Sequence, residues 1–254
     1  LVVIVIYCLN PVGGILLATL CTLSDSPKQS NTWLKYLFAM MAIYVGLLNA
    51  TKIPASDQVN YMNAYNLVPS QSLWKSLINI YGEKYIILDG SIKEIGYGAL
   101  NVIGYITSFG YYPLFILEFS VLLYMLCLIS VKRLFIAIRP KNWLLLSVTA
   151  AYIMCFFSQY FNLTIHLQRQ EIATAVMLYG IVDYCVVEKY TWKKFLIPLL
   201  SVTLHTSVGF FLPLFTFRWI THDKITKKKL IICFFIIAVL IGGGSTLASS
   251  LISR

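Results

Sequence analysis

The stretch from Asn162 to Glu171, reading Asn-Leu-Thr-Ile-His-Leu-Gln-Arg-Gln-Glu, sets Arg169 between two apolar runs, Trp143 to Phe161 and Ile172 to Val187. Each run approaches the roughly 20 residues that carry a helix across a bilayer core, a place from which arginine is normally kept out. Lys132, Arg133, Arg139 and Lys141 precede the first run, and Lys189, Lys193 and Lys194 follow the second. Basic clusters of this kind mark the cytoplasmic side, so Arg169 falls on the outer face. A permanent cation held there points to an anionic ligand reached from outside the cell.

The same alternation organises the rest of the chain. Leu1 to Leu23 reads as a first span, a polar loop with Lys28 and Lys35 as cytoplasmic, and Trp33 to Ala50 as a second span. Residues 51–110 then stay outside, with Lys52, Lys75, Lys84 and Lys93 balanced by Asp57, Glu83, Asp89 and Glu94. Pro113 to Ser130 returns inward. A single helix over Phe195 to Phe217 would put Arg218, Lys224, Lys227, Lys228 and Lys229 outside, against the charge rule. A re-entrant hairpin turning near His205 to Gly209, with limbs of about 10 residues and roughly 15 Å each, resolves this; a single tilted helix is the alternative. Leu230 to Leu247 is the last span, loosened by Gly242, Gly243 and Gly244.

Composition agrees: of 254 residues, 59% are hydrophobic and 12% charged, as in an integral membrane protein. The net charge of +10 sits in short loops between apolar runs, where it sets topology, so nucleic acid is not an expected partner. Cys8, Cys21, Cys127, Cys155, Cys185 and Cys233 lie mostly inside apolar runs without metal or redox spacing, which predicts neither disulfide framework nor zinc site. A start at Leu1 without Met or basic leader argues against a cleaved signal peptide, and the sequence reads as incomplete at one or both ends. The predicted fold is all-α, a single polytopic transmembrane domain over 1–254 with about six to seven transmembrane helices plus the hairpin. No internal or inverted repeat is visible.

In the outer loop, Ser56 can cap a helix whose Asp57, Tyr61, Ala64, Tyr65 and Val68 share a face. Ser91 with Glu94 makes a capping box before a stripe of Ile92, Ile95, Ala99, Val102, Ile103 and Ile106. These helices are expected to lie on or dip into the outer leaflet.

Four polar groups converge on the outer side: Lys52 with Asp57 and Tyr61; Glu94 with Tyr97 and Asn101; Gln168 with Arg169 and Gln170; and His205 with Thr206 and Ser207. Each has a structural explanation alone. Asp57 suits a first helical turn, Glu94 its capping box, Arg169 can snorkel to lipid phosphate, and a histidine in an apolar segment is often only hydrogen-bonded core. Together, two carboxylates, a cation and a histidine beside an apolar bundle suit a reaction on the head group of an anionic lipid. Glu118 interrupts an apolar run and should face the bundle interior or a wet cavity. His166, His222 and the sequon at Asn162 to Thr164 are weaker signals. Walker, dinucleotide, metalloprotease and nucleophile-elbow motifs are missing from the sequence.

At these residues the chain resembles the EpsG family of bacterial membrane proteins, relatives of the Wzy-type polymerases of O-antigen, capsule and exopolysaccharide, over most of its length. An Asp-x-x-x-Tyr is matched by Asp57 and Tyr61, and a Glu-x-Gly-Tyr-x-x-Leu-Asn by Glu94, Gly96, Tyr97, Leu100 and Asn101. An Arg-Gln-x-Ile-Ala is matched by Arg169, Gln170, Ile172 and Ala173, and a His-x-Ser with a later Pro by His205, Ser207 and Pro213. Where members often carry Arg and Gly before the Asp, this chain has Lys52 and Ala55, and it is shorter at its C-terminus.

The resemblance implies an enzyme of the bacterial cytoplasmic (inner) membrane that joins undecaprenyl-diphosphate-linked oligosaccharide repeat units on the outer face. It implies a fold related to multi-spanning glycosyltransferases that use lipid-linked sugars, and as partners membrane lipid and the flippase and chain-length regulator of the same pathway. In that reaction Arg169, with Lys52 and His205, holds the diphosphate, and Asp57 or Glu94 orients or deprotonates the acceptor. Tyr61 and Tyr97 stack on sugars, while Asn101, Gln168, Gln170 and Ser207 bind substrate. No cofactor is required; two carboxylates could hold Mg²⁺, which leaves a divalent cation undecided. A transporter of lipid-linked sugars, or a non-catalytic subunit of a polysaccharide assembly complex, is the alternative.

Overall fold

The computed structural model describes residues 2–78, 94–138, 140–157, 161, 166–186, 192–212 and 215. Among these the regular structure is helical: α1 (Val2–Leu9), α2 (Pro11–Ser24), α3 (Pro27–Ala50), α4 (Asp57–Leu67), α5 (Leu73–Ile78), α6 (Ile95–Thr107), α7 (Tyr112–Ile138), α8 (Trp143–Phe156), α9 (Gln168–Val186) and α10 (Trp192–Leu204). Short 3₁₀ helices cover Val68–Ser70 and Thr206–Phe211.

The frame is the antiparallel pair α3 and α7, of 24 and 27 residues. At 1.5 Å per residue these reach about 36 and 40 Å, beyond the roughly 30 Å of a hydrocarbon core. By length and apolarity, Lys28–Ala50 and Tyr112–Ile138 can cross a membrane, whereas Pro11–Ser24 and Trp143–Phe156 are apolar but shorter. Gly46 lets the pair approach, since a Cβ there would lie 2.8 Å from Leu117 Cδ1. Near the same end, Asn49 Nδ2 donates to Ser120 Oγ at 3.1 Å, a fully buried bond between the helices. α2 packs on α3, α8 on α7, and α9 between α7 and α10. Thr19 and Tyr152 share a 2.9 Å hydroxyl bond between α2 and α8.

Several elements depart from the sequence reading. The first run does not form one span: Asn10 ends α1 and caps α2, accepting from Gly13 N at 3.1 Å, and Pro11 opens the new helix. The chain folds sharply there, so that a Cβ on Gly14 would lie 2.4 Å from Tyr7 Cα. Lys28 and Lys35 lie on α3 rather than in a loop, and Lys132 and Arg133 lie on α7. Charges end an apolar run but do not end a helix, which continues until its backbone is capped. For the same reason Arg169 belongs to the first turn of α9 and not to a connecting segment.

α6 carries its apolar stripe on the outside and packs through its other face. Tyr97, Gly98, Asn101 and Gly104 are buried, while Ile103 and Ile106 are 58% and 67% exposed. In a lipid environment, small and polar residues pack between helices and the isoleucines turn outward. α10 stops at Leu204, His205 is extended (φ −156°, ψ 126°), and the following 3₁₀ turn packs back on α10 with Gly209 against Val202. The break thus falls where the hairpin was expected, and its returning limb beyond Leu212 lies almost wholly outside the described residues. So do the last span from Leu230, Gly242 to Gly244, the basic segment from Arg218 to Lys229, His222, Pro213, Ser91, Lys84, Lys93, Glu83, Asp89 and the Asn162 sequon.

Candidate active site

Two helices begin at the same place. Glu94 occupies the N-cap of α6, and Arg169 is the second residue of α9. Their meeting depends on glycine: a Cβ on Gly96 would lie 2.3 Å from Thr203 Oγ1 and 2.9 Å from Thr203 C. A Cβ on Gly98 would lie 1.9 Å from the carbonyl oxygen of Leu77. Two bare backbone positions therefore seat the start of α6 between α5 and α10, with His205 just beyond Thr203.

Glu94 is the hub. Its Oε2 accepts from Arg169 Nη1, and its Oε1 lies 2.5 Å from His205 Nδ1. Glu94 and Arg169 are 7% and 9% exposed, and His205 is half-buried. A buried carboxylate of this kind is stable only because it is paired and hydrogen-bonded. The Glu94 side chain makes no cap bond to the start of α6, and the Ser91 half of the expected capping box lies outside the described residues. Ser56 likewise precedes α4 without a side-chain cap bond, at φ 52°.

Arg169 Nε donates to Tyr61 OH at 3.3 Å, with the guanidinium carbon 5.7 Å from that ring's centroid. Tyr61 and Tyr97 have centroids 5.5 Å apart. Burial pushes the Tyr61 phenol up from its ordinary value despite the pull of Arg169, which keeps it a neutral hydroxyl. Tyr97 OH donates to Gln168 Oε1 at 2.7 Å, and Gln168 Nε2 donates to Tyr112 OH at 3.2 Å. Gln168 is wholly buried and its amide is bonded at both ends, which fixes the first turn of α9 against α6 and α7.

Six of the candidate residues thus come together: Tyr61, Glu94, Tyr97, Gln168, Arg169 and His205. Asn101 is buried one turn beyond Tyr97, and its Oδ1 has no partner among the described residues. Asp57 sits at the rim, half-buried, one turn before Tyr61 and close enough to act on its phenol. Lys52 is placed elsewhere: its Nζ donates to Phe161 O at 2.9 Å and lies 3.3 Å from that ring's centroid. Burial holds its ammonium down to about 8. Gln170, Thr206 and Ser207 are exposed. His166 contacts Ala55 O at 3.2 Å, and Glu118 accepts from Thr107 Oγ1 at 2.6 Å across the α6 to α7 turn, apart from the cluster. Tyr112 was not among the sequence candidates; it opens a long apolar run, with no local pattern to separate it from ordinary core. Among the described residues, no group of three or more His, Cys, Asp and Glu is placed to hold a metal ion.

A second charged cluster marks the other end of α9. Asp183 accepts from Arg133 and lies 3.0 Å from Lys194 Nζ, tying α7, α9 and α10 together. The 14 residues from Arg169 to Asp183 span about 21 Å of helix.

Among the described residues, apolar helices carry a Glu, Arg and His cluster at one end and a cationic cluster at the other, the architecture of an all-helical membrane protein. The sequence profile of the EpsG family matches residues 35–254, and the chain belongs to that family, one of Wzy-type polysaccharide polymerase-like proteins. The family is associated with polysaccharide polymerase and glycosyltransferase-like activity. No curated protein and no solved structure matches the chain.

Proposed function

We propose that the protein is a Wzy-like glycosyltransferase of the bacterial cytoplasmic membrane, crossing it several times and joining undecaprenyl-diphosphate-linked oligosaccharide repeat units on the outer face. The observation that carries this reading is the cluster of buried Glu94 and Arg169 with half-buried His205, beside two tyrosine rings and at the end of the bundle away from Arg133, Lys132 and Lys194. Cations concentrated at the far end support placing that end in the cytoplasm and the cluster outside.

Arg169 offers a planar donor fork suited to a phosphate oxygen pair. With His205 Nδ1 facing Glu94, the other ring nitrogen, Nε2, is the basic one, and Glu94 stabilises the imidazolium as it forms. In the step itself, the acceptor hydroxyl oxygen bonds to the donor's anomeric carbon and its proton passes to Nε2. The bond from that carbon to the diphosphate oxygen breaks, and the electron pair leaves on undecaprenyl diphosphate beside Arg169. Tyr61 and Tyr97, both buried and packed on each other, steady Arg169 and Gln168 from behind, and Asp57 at the rim orients the incoming hydroxyl. Lys52, fixed on Phe161, acts at a distance from the leaving group rather than as part of its grip.

The test is polymerisation by purified protein in nanodiscs supplied with undecaprenyl-diphosphate repeat units. The expected result is a ladder of products that Arg169→Ala abolishes. Substrate crossing sealed proteoliposomes without any new glycosidic bond would instead identify a transporter.

A further inference from the structure

We propose that Glu94 is the counter-ion that the donor's diphosphate displaces from Arg169, so that donor binding turns the Glu94 carboxylate over to His205. This rests on the preceding reading, in which Arg169 receives the diphosphate. Arg169 is nine-tenths buried, and two of its donor directions already end on Glu94 and Tyr61. A bidentate grip on phosphate needs one of these directions back. The carboxylate is the contact that a diphosphate replaces like for like, because the exchange keeps the buried guanidinium compensated throughout.

The consequence falls on His205. While shared, the Glu94 carboxylate divides its charge between a guanidinium and an imidazole. Once Arg169 is taken by the donor, Oε1 still faces His205 Nδ1, and a carboxylate released from its cation raises the affinity of Nε2 for a proton. The acceptor hydroxyl then meets its strongest base only when a donor is in place, and glycosyl transfer follows donor binding in a fixed order. A charge-assisted bond lost from the resting state amounts to about tenfold in the binding of its competitor.

The experiment measures binding of farnesyl diphosphate, a short isoprenoid diphosphate, to the nanodisc-held protein, alongside the polymer ladder. Glu94→Gln should bind the probe about tenfold more tightly than the unaltered protein while forming no polymer. His205→Asn should bind it within about twofold of the unaltered protein and also form no polymer. Glu94→Asp, which keeps the charge but shortens its reach to Arg169, should also bind more tightly and serves if Glu94→Gln does not fold. Unchanged or weaker binding by the folded Glu94 variants overturns the displacement and leaves the polymerase reading standing. If the unaltered protein and Arg169→Ala bind the probe equally, or neither binds it, Arg169 is not the diphosphate residue and both readings fall.

Discussion

Gly96→Ala tests whether the site is held by backbone proximity. Ordinary van der Waals contact begins near 3.4 Å, and the new Cβ would stand 2.3 Å from Thr203 Oγ1, a deficit of 3.4 − 2.3 = 1.1 Å. Turning the hydroxyl away does not cure it, because the Thr203 backbone carbon is also within 2.9 Å. α10 must therefore move from α6, carrying His205, two residues on. A shift of about 1 Å stretches the 2.5 Å contact between His205 and Glu94 toward the limit of hydrogen bonding. Overpacking of this kind costs about 1 to 3 kcal/mol, and a misplacement of about 1 Å at a reacting group costs about 100-fold in rate. The assay is polymer formed per unit of folded protein in nanodiscs, with thermal unfolding measured in parallel. Gly96→Ala should lose about two orders of magnitude in turnover, and Thr203→Ala in the same chain should restore part of it by removing Oγ1. Full turnover in Gly96→Ala at normal stability would refute the argument that this contact positions His205.

Arg169→Ala should destabilise the protein by about 3 to 5 kcal/mol by taking the permanent cation from the buried Glu94 carboxylate, which keeps its contact with His205; adding Glu94→Ala should recover most of that loss in thermal unfolding without recovering polymer. Tyr97→Phe removes the donor to Gln168 Oε1 and strands a buried acceptor, so denaturant unfolding should show a loss of about 1 to 3 kcal/mol. Lys52, lowered by burial from 10.5 to about 8, binds fewer protons folded than unfolded between those values. Stability from this group should therefore rise as pH increases through that window, a rise that Lys52→Met flattens in unfolding measured near pH 7.5 and pH 10.

The charged residues of the site were legible because each is costly where it sits. Glu94 and Arg169 stand at the start of apolar stretches and His205 interrupts one, and the structure brings these three into one cluster. Their wiring was not legible. The sequence grouped Lys52 with Asp57 and Tyr61 by proximity along the chain, yet the Lys52 ammonium is taken by the Phe161 carbonyl, more than 100 residues away. The packing face of α6 was not legible either: Ile103 and Ile106 face out, while Gly98 and Gly104 face in for close approaches to Leu77 and Phe115 that no local pattern announces. The first run misled because its mean apolarity is continuous across Asn10 and Pro11, and only the Asn-Pro pair carries the signal of a helix ending and restarting.

The start of α6 at Glu94 and the start of α9 at Gln168 give the site an electrical surplus beyond its side chains. Each helix beginning carries roughly half a positive charge, which steadies the Glu94 carboxylate and burdens the Arg169 guanidinium. One carboxylate is shared among a guanidinium, an imidazole and two helix beginnings. An uncharged sugar does nothing to correct that imbalance, whereas a diphosphate does, so under the proposed function attraction to this end of the bundle begins with the charged part of the lipid-linked donor and its sugar is positioned by what the phosphates find.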